Sequence, residues 1–365
     1  MMKIAHIVDS MEVGGAETLV SQMCSLQREQ GHEVSVYAVA ALGAIGERMR
    51  SDGFTVLSEI GRNLINSSRS FLRLFKQSRP HVVHIHNPTP TIYAAPAARL
   101  AGASSIISTR HSLVAPPHDR VAEFKYSLAA RFCDYVVGIC DATTDNLKRL
   151  GSVPSEKILR IYNGAAALRK PSSEALPAKT GFTLVFVGRL QPVKNLSLLL
   201  NAFKLASETA PDITLWIVGD GSERASLEQL ASQLQITNKA KFWGQQLDVA
   251  PYFSAADVFI MSSSSEGLPV SLLQAFSQEL PSIVTDVGGM AEVVRLANSG
   301  LVVPASNANA MSAAILQLAN DKREREQFSK NALTAFESRF SIQAMADAYM
   351  DFYRNTARSR EIPLA

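Results

Sequence analysis

The chain has 365 residues, 47% of them apolar and 19% charged, with a formal net charge of +3. That length suits two domains of about 150 residues, each able to bury its own core, and so mild a charge argues against a nucleic-acid binder. Its three cysteines lack metal-ligand spacing and speak against a disulfide framework or a structural zinc site, as befits a reducing cytoplasm.

In chain order, residues 3–8 predict a buried strand. This apolar run is short, contains His6 and ends at Asp9, unlike a signal peptide. The glycine turn Glu12-Val13-Gly14-Gly15 follows, then a helix over 16–30 with Gly31 as its cap. Further strands are predicted at 34–39, 55–57, 82–86, 105–108 and 135–139, with helical stretches between them. Such βαβα alternation implies a parallel sheet covered on both faces. The pattern loosens over 163–181, where Pro171, Ser172, Ser173, Pro177 and Gly181 mark a linker. It then restarts, with strands at 183–187, 213–218, 241–243, 258–261 and 282–285 and helices over 195–210, 223–234, 269–278 and 307–321. A helix over 342–358 closes the chain. No apolar run reaches the roughly 18 residues of a membrane span. The expected organisation is an α/β chain with domains at 1–165 and 181–340, a linker at 166–180, and a C-terminal helix in 341–365 that packs back on the N-terminal domain.

The segment from Phe186 to Asn195 runs from a strand end through Gly188 to a helix start. Ligands of open α/β sheets bind at this carboxyl edge, and helix N-termini there attract phosphate. Arg189 offers a planar fork and Lys194 a point charge, a pair suited to a diphosphate. On their own they equally suit a solvated basic loop. Ser265-Glu266-Gly267-Leu268-Pro269 has the same strand-loop-helix form, with Pro269 in the first helical turn. Glu266 either complements the helix dipole or accepts from sugar hydroxyls. Gln274 lies about two turns further on, within reach of a ribose or simply on a helix surface. Gly288-Gly289 allows close backbone approach, as does any ordinary βα turn.

In order and spacing, Gly188-Arg189…Lys194-Asn195, Ser265-Glu266-Gly267-Leu268-Pro269 and Gly288-Gly289…Glu292 resemble the retaining glycosyltransferases of family 4. The first half resembles them too. The resemblance implies the GT-B fold: two Rossmann-like parallel-sheet domains facing each other across a cleft that holds a nucleotide-sugar. It implies Arg189 and Lys194 on the donor diphosphate, Glu266 beside the donor sugar, and Gly188, Gly267 and Leu268 lining the donor site. The second Glu of the family's paired-Glu motif, which holds the ribose, is Gln274 here, able to accept and donate but uncharged. Glu279 stands where the family usually has Gly.

In the first half, Gly14-Gly15-Ala16-Glu17 resembles the family's first glycine loop, whose backbone N–H groups approach the donor phosphate and sugar. Thr109-Arg110-His111-Ser112 resembles its Thr-x-His segment, which makes His111 an expected active-site residue. Asn163-Gly164 resembles the family's domain junction, with Ala166 in place of an Asp, and reads as a structural turn. Strand alternation puts His84 and His86 on one face. A hydrogen-bonded structural pair is the preferred reading over a metal site, since no carboxylate lies close by in sequence.

The activity implied is retaining transfer of a sugar, with UDP the commonest donor nucleotide, to a saccharide or lipid-linked acceptor in surface polysaccharide or lipopolysaccharide assembly. No metal and no cofactor are expected, because Arg189 and Lys194 can stabilise the leaving diphosphate and no Asp-x-Asp motif occurs. Two rivals share the architecture: a nucleotide-sugar epimerase, and a non-catalytic nucleotide-sugar-binding partner suggested by Gln274 and Glu279. The full GxGxxG fingerprint is absent, which weakens a dehydrogenase reading. Segment 62–79 carries Arg62, Arg69, Arg73, Lys76 and Arg79 among Leu64, Ile65, Phe71, Leu72, Leu74 and Phe75. It reads as a surface helix with its apolar face in the core, or as a peripheral contact with an anionic membrane.

Overall fold

The computed structural model describes residues 1–12, 14–58, 64–113, 120–172, 177–179 and 181–358. They form two units, Met1–Gly164 with Ile342–Ala365, and Ala165–Ser341. Ser173, within the expected linker, lies outside the described residues.

The first unit holds β1 (Lys3–Val8), β2 (Glu33–Ala38), β3 (Thr55–Leu57), β4 (Val82–His86), β5 (Ser105–Arg110), β6 (Tyr135–Gly138) and β7 (Ile158–Arg160). They form one seven-stranded sheet in the order β3-β2-β1-β4-β5-β6-β7. Every pairing is parallel. β4 and β5 are buried along their whole length, which requires cover on both faces. Part of that cover is the helix Leu64–Ser78. Its Phe71 and Phe75 are fully buried in a cluster with Ile85, Ala94, Ala98 and Ile106. Among the described residues, the apolar face of this segment, Phe71 and Phe75 with Leu72 and Leu74 packed beside them, therefore belongs to the core. Arg62 and the side chains of Leu64 and Ile65 lie outside the described residues.

The C-terminal helix Ile342–Arg358 is part of this unit. Its Tyr349 hydroxyl lies 2.9 Å from Thr109 Oγ1, and its Thr356 Oγ1 lies 2.8 Å from Ser105 Oγ, so it lies against β5. Gly164 N donates to Met345 Sδ on the same helix at 3.3 Å.

The second unit holds β8 (Phe182–Val187), β9 (Ile213–Val218), β10 (Ala240–Gly244), β11 (Val258–Met261), β12 (Ser282–Thr285) and β13 (Gly300–Val303). Their order is β10-β9-β8-β11-β12-β13, again all parallel. The start of this unit is tied down by a bridge from Ala165 to Ser341 and by Gln278 Nε2 donating to Leu168 O at 2.8 Å. The edge strands β7 and β13 are not predicted from sequence. They have 3 and 4 residues, too short for a periodicity to register, and exist because a neighbour offers them a ladder.

Glu279 occupies a left-handed position, φ +59°, just past the helix Val270–Ser277. Leu280 N donates back to Ala275 O at 3.0 Å, the six-to-one bond of a Schellman turn. The left-handed residue of that turn is usually glycine, because a Cβ there costs roughly 1–2 kcal/mol. Among the described residues, only an exposed 3.7 Å pair with Lys170 offsets that cost for Glu279, and such pairs contribute little. Glu279→Gly should raise stability by about 1 kcal/mol, read as a higher denaturant midpoint at unchanged m-value. An unchanged or lower midpoint would contradict it.

Candidate functional site

In the second unit, β8 lies between β9 and β11. The chain leaves β8 towards β9 and leaves β11 towards β12, so the two loops part at the carboxyl edge. That divergence opens a crevice where open α/β sheets bind ligands. The β8 loop contains Gly188, Arg189 and Lys194; the β11 loop contains Glu266, Gly267 and Leu268. Sequence reasoning singled out both loops, and the topology makes them neighbours.

Backbone contacts hold the loops close. Gly188 N donates to Val218 O at 3.0 Å, and Leu190 N to Asp220 O at 2.8 Å. Gly219 adopts φ +136°, and a Cβ there would lie 1.9 Å from Gly188 O. Asn195 turns the chain at φ +49° into the helix Leu196–Thr209. Ser262 Oγ donates to Lys194 O at 2.9 Å, and Ser264 N to Val193 O at 2.9 Å, joining the β11 loop to the β8 loop. Thr285 Oγ1 reaches Ser263 O at 2.6 Å, and Gly289 N reaches Gly267 O at 2.7 Å, which joins the β12 loop as well.

On this frame Lys194 Nζ forms an ion pair with Glu266, and Ser263 Oγ donates to the same Oε1 at 3.1 Å. Both charged side chains are 15% exposed. Arg189 is exposed, and its guanidinium has no partner among the described residues. The two cations of the β8 loop are therefore in different states: one is paired, the other is available to an anion. Gln274 is half-buried on the helix Val270–Ser277, with its backbone carbonyl accepting from Ser277 Oγ at 2.7 Å. Asp286 and Arg295 bind each other through two bonds of 2.6 and 2.8 Å, so neither is spare.

In the first unit the corresponding divergence lies between β1 and β4. Gly14 is the N-cap of the helix Gly15–Glu29, in an extended conformation. The Glu17 carboxylate folds over it: a Cβ on Gly14 would lie 2.2 Å from Glu17 Oε2. Asp9, at the end of β1, is pushed up to about 6 by burial and by the nearby Glu17 charge. This turn is consequently acidic, a property that its glycines alone do not reveal. Val13, within it, lies outside the described residues.

His84 and His86 share a face with His6 of β1, which pairs with His84 in register. Reading the strands one at a time missed His6. Its signal is the match of His6 to a second histidine strand, visible only once β1 and β4 are neighbours. His84 Nε2 lies 2.7 Å from Thr109 Oγ1, and its Nδ1 lies 2.5 Å from the Tyr353 hydroxyl. His86 reaches both His6 and His111, each at 3.1 Å. The candidate metal-ligating atoms of His6, His84 and His86 lie within 4.8 Å of one another. Imidazole nitrogens sharing one tetrahedral zinc would be about 3.3 Å apart, and the hydrogen bonds above already engage them. Burial lowers the pKa of His6 and of His111 to about 4, and that of His84 and His86 well below the ordinary histidine value.

The profile described as Glycosyl transferases group 1 matches residues 145–334, and that described as Glycosyltransferase Family 4 matches residues 13–166. The chain belongs to the group 1 glycosyltransferases. Among relatives, it is 27% identical over 301 residues to the UDP-Gal:alpha-D-GlcNAc-diphosphoundecaprenol alpha-1,3-galactosyltransferase of Escherichia coli, covering 78% of each chain. It is 34% identical over 140 residues to the lipopolysaccharide core biosynthesis glycosyltransferase LpsE of Rhizobium meliloti (strain 1021), covering 38% of this chain and 41% of the relative. The match to LpsD of the same strain spans 47% of this chain and 49% of the relative, at 32% identity. In both cases, less than half of the relative's length is spanned. The crystal structure of Anabaena Alr3699/HepE in complex with UDP superposes with a TM-score of 0.86 over 97% of this chain and 100% of that one, at 20% identity. That likeness shows the fold, GT-B, with its two Rossmann-like units.

A carboxyl group with a raised native pKa keeps a proton that the unfolded chain releases. Stability therefore falls as pH rises from about 3.8 through about 6 and stays low above that window. Asp9→Asn should accordingly raise the Tm at pH 7.5 and leave it nearly unchanged at pH 4. Equal shifts at both pH values would mean that charge at Asp9 is not the cause.

Proposed function

We propose that the protein is a retaining glycosyltransferase that moves a sugar from a nucleotide diphosphate donor, a UDP-sugar, to a saccharide or lipid-linked acceptor in surface polysaccharide or lipopolysaccharide assembly. The observation that carries this reading is the arrangement on the β8 and β11 loops: a free guanidinium at Arg189 beside the Lys194–Glu266 pair, at the switch point of the sheet. Support also comes from what relatives are named for. The Escherichia coli relative uses UDP-Gal, and HepE was crystallised with UDP and with UDP-glucose.

Chemically, the bond from the anomeric carbon to the diphosphate breaks, and charge builds on the departing phosphate. Preorganised cations stabilise that charge without reorganising at the moment of reaction. Arg189 and Lys194 fill this role with no metal. A diphosphate offers Lys194 a stronger anion than Glu266, which frees the carboxylate to accept from hydroxyls of the donor sugar. The acceptor oxygen bonds the anomeric carbon on the face the diphosphate leaves, and its proton passes to the departing phosphate oxygen. Gly188, Gly267 and Leu268 shape the donor site, and Gln274 binds the ribose through its amide.

Arg189→Ala and Lys194→Ala should each lower kcat/KM about 100-fold or more, with the far-UV spectrum unchanged. Near-normal turnover in both variants would remove the diphosphate site, and wild-type turnover abolished by EDTA would remove metal independence.

We further propose that peripheral contact with an anionic membrane is made by the helix Arg120–Ala130. Val121, Phe124 and Leu128 recur at helical spacing on one exposed stripe, at 62%, 69% and 52% exposure, and Phe132 follows at 38%. Arg120, Lys125 and Arg131 are exposed beside them and complement anionic lipid. The double variant Phe124→Ser/Leu128→Ser should lose at least about tenfold in affinity for phosphatidylglycerol-containing vesicles. Undiminished binding would place the contact elsewhere, and wild-type protein that binds no vesicles would end this assignment.

A further inference from the structure

The amino edge of the first sheet carries a pocket that no step of the proposed transfer uses. Its volume is about 520 Å³, and Lys76, Arg79, His81, Gly102 and Ser104 line it. His81 immediately precedes β4, and Ser104 immediately precedes β5. The crevice between β1 and β4 opens at the opposite edge, about 17 Å away along the five residues of β4.

Each polar side chain here can donate. Lys76 and Arg79 are exposed, and neither has a hydrogen-bond or ion-pair partner among the described residues. His81 Nδ1 accepts from the backbone N–H of Lys3 at 2.9 Å. A neutral imidazole has one proton, so the other ring nitrogen, Nε2, is a donor. Ser104 adds a hydroxyl with no partner among the described residues. Among those residues no carboxylate lines the pocket, and the sequence has no aspartate or glutamate between Glu59 and Asp119. Glu33, at the start of β2, is engaged by Lys3 Nζ at 3.3 Å.

Two observations set the pocket apart from a solvated basic surface. The first is the backbone of Arg79, φ +47°. A side chain in the left-handed region carries a steric cost that glycine avoids, and no contact of the guanidinium among the described residues offsets it. The second is the charge balance. The helices Leu64–Ser78 and Pro88–Ala101 both end here, and a helix C-terminus carries about half a negative charge. Two such ends balance about one of the two cations. Their last carbonyls are also met by backbone: Phe75 O by Arg79 N at 2.8 Å, and Ala98 O by Ala103 N at 3.1 Å. Positive charge and unused donors remain.

We infer that this pocket is a second anion site, which takes a phosphate group on the Arg79 fork and the Lys76 charge, with His81 and Ser104 donating to the remaining oxygens. The volume is too large for a bare ion and lies within the roughly 300–1,000 Å³ of small-molecule sites. The phosphate is therefore part of a larger body, a free phosphate ester or a lipid headgroup. The site shares no residue with the β8 and β11 loops, so it stands whether or not the protein transfers sugar.

The test titrates the intact 15N-labelled chain with inorganic phosphate at constant ionic strength. Amide shifts of His81, Gly102 and Ser104 read this pocket, so phosphate near Arg189 does not interfere. The expected result is one saturable curve shared by all three. Absence of saturation, or equal shifts with chloride, would reduce the pocket to a solvated basic surface and overturn the inference. Arg79→Gly relieves the left-handed backbone, so it should fold with no loss of Tm while phosphate affinity falls at least about tenfold. Lys76→Ala should also weaken binding, and unchanged affinity in both variants overturns the inference as well. Vesicles containing phosphatidylglycerol then separate the two sources. Vesicle binding that falls about tenfold in Arg79→Gly assigns the pocket to a lipid headgroup. Saturable phosphate binding with no such loss on vesicles assigns it to a free phosphate ester.

Discussion

Parallel strands impose a single polarity on each unit. Because every strand in both sheets runs the same way, all carboxyl ends in a sheet share one edge, and every returning segment must cross a face. Loops at the shared edge are thus forced together, and loops from β8 and β11 part because their connections leave in opposite directions. Lys194 and Glu266 are 72 residues apart in sequence, yet they form an ion pair because this geometry permits it. The same constraint in the first unit puts the loop after β1, the end of β4 and the segment after β5 side by side.

Charge management in the second unit follows from partial burial. A lysine and a glutamate that are mostly out of water lose hydration that neither regains alone. Paired, and with Ser263 adding a hydrogen bond, they keep the site in order without ligand. Arg189 stays in solvent, where its charge costs nothing to maintain. In the proposed function, a phosphate at this edge meets Arg189 at once and Lys194 by exchange with the Glu266 carboxylate. The glycines at positions 188 and 219 serve this arrangement indirectly, since the backbone approach that fixes the Arg189 turn has no room for a side chain at 219.

The first unit meets a different demand. Three buried imidazoles and a half-buried fourth are polar rings in a largely apolar interior, tolerable only as neutral, hydrogen-bonded groups. Two strands supply His6, His84 and His86, the segment after β5 supplies His111, and two helices supply Gln27, Tyr349 and Tyr353. The C-terminal helix is needed here: without its tyrosines, His84 Nδ1 and Thr109 Oγ1 would each lose a partner. A chain end far away in sequence thereby completes the polar interior that ends at His111.

The sequence by itself determined the architecture and the two loops of the second unit. Alternating β-branched and helical segments imply parallel sheets, and the two loops stand out by the order and spacing of their motifs, since Arg189 and Lys194 alone suit a solvated basic loop equally well. It also offered the core as one of two places for the apolar face of segment 62–79, since such helices more often pack on a core than lie on a membrane. Only the tertiary structure decided that Lys194 faces Glu266 while Arg189 does not, that Glu279 sits at positive φ, and that Asp9 and Glu17 make the Gly14 turn acidic. Only it joined Gln27 and His6 to His111, and added β7 and β13 to the sheets. The reason is the range of the interactions. Hydrophobic periodicity and turn chemistry act between near neighbours and leave a local record, whereas ion pairs, imidazole tautomers and edge strands depend on which distant segment the fold sets alongside.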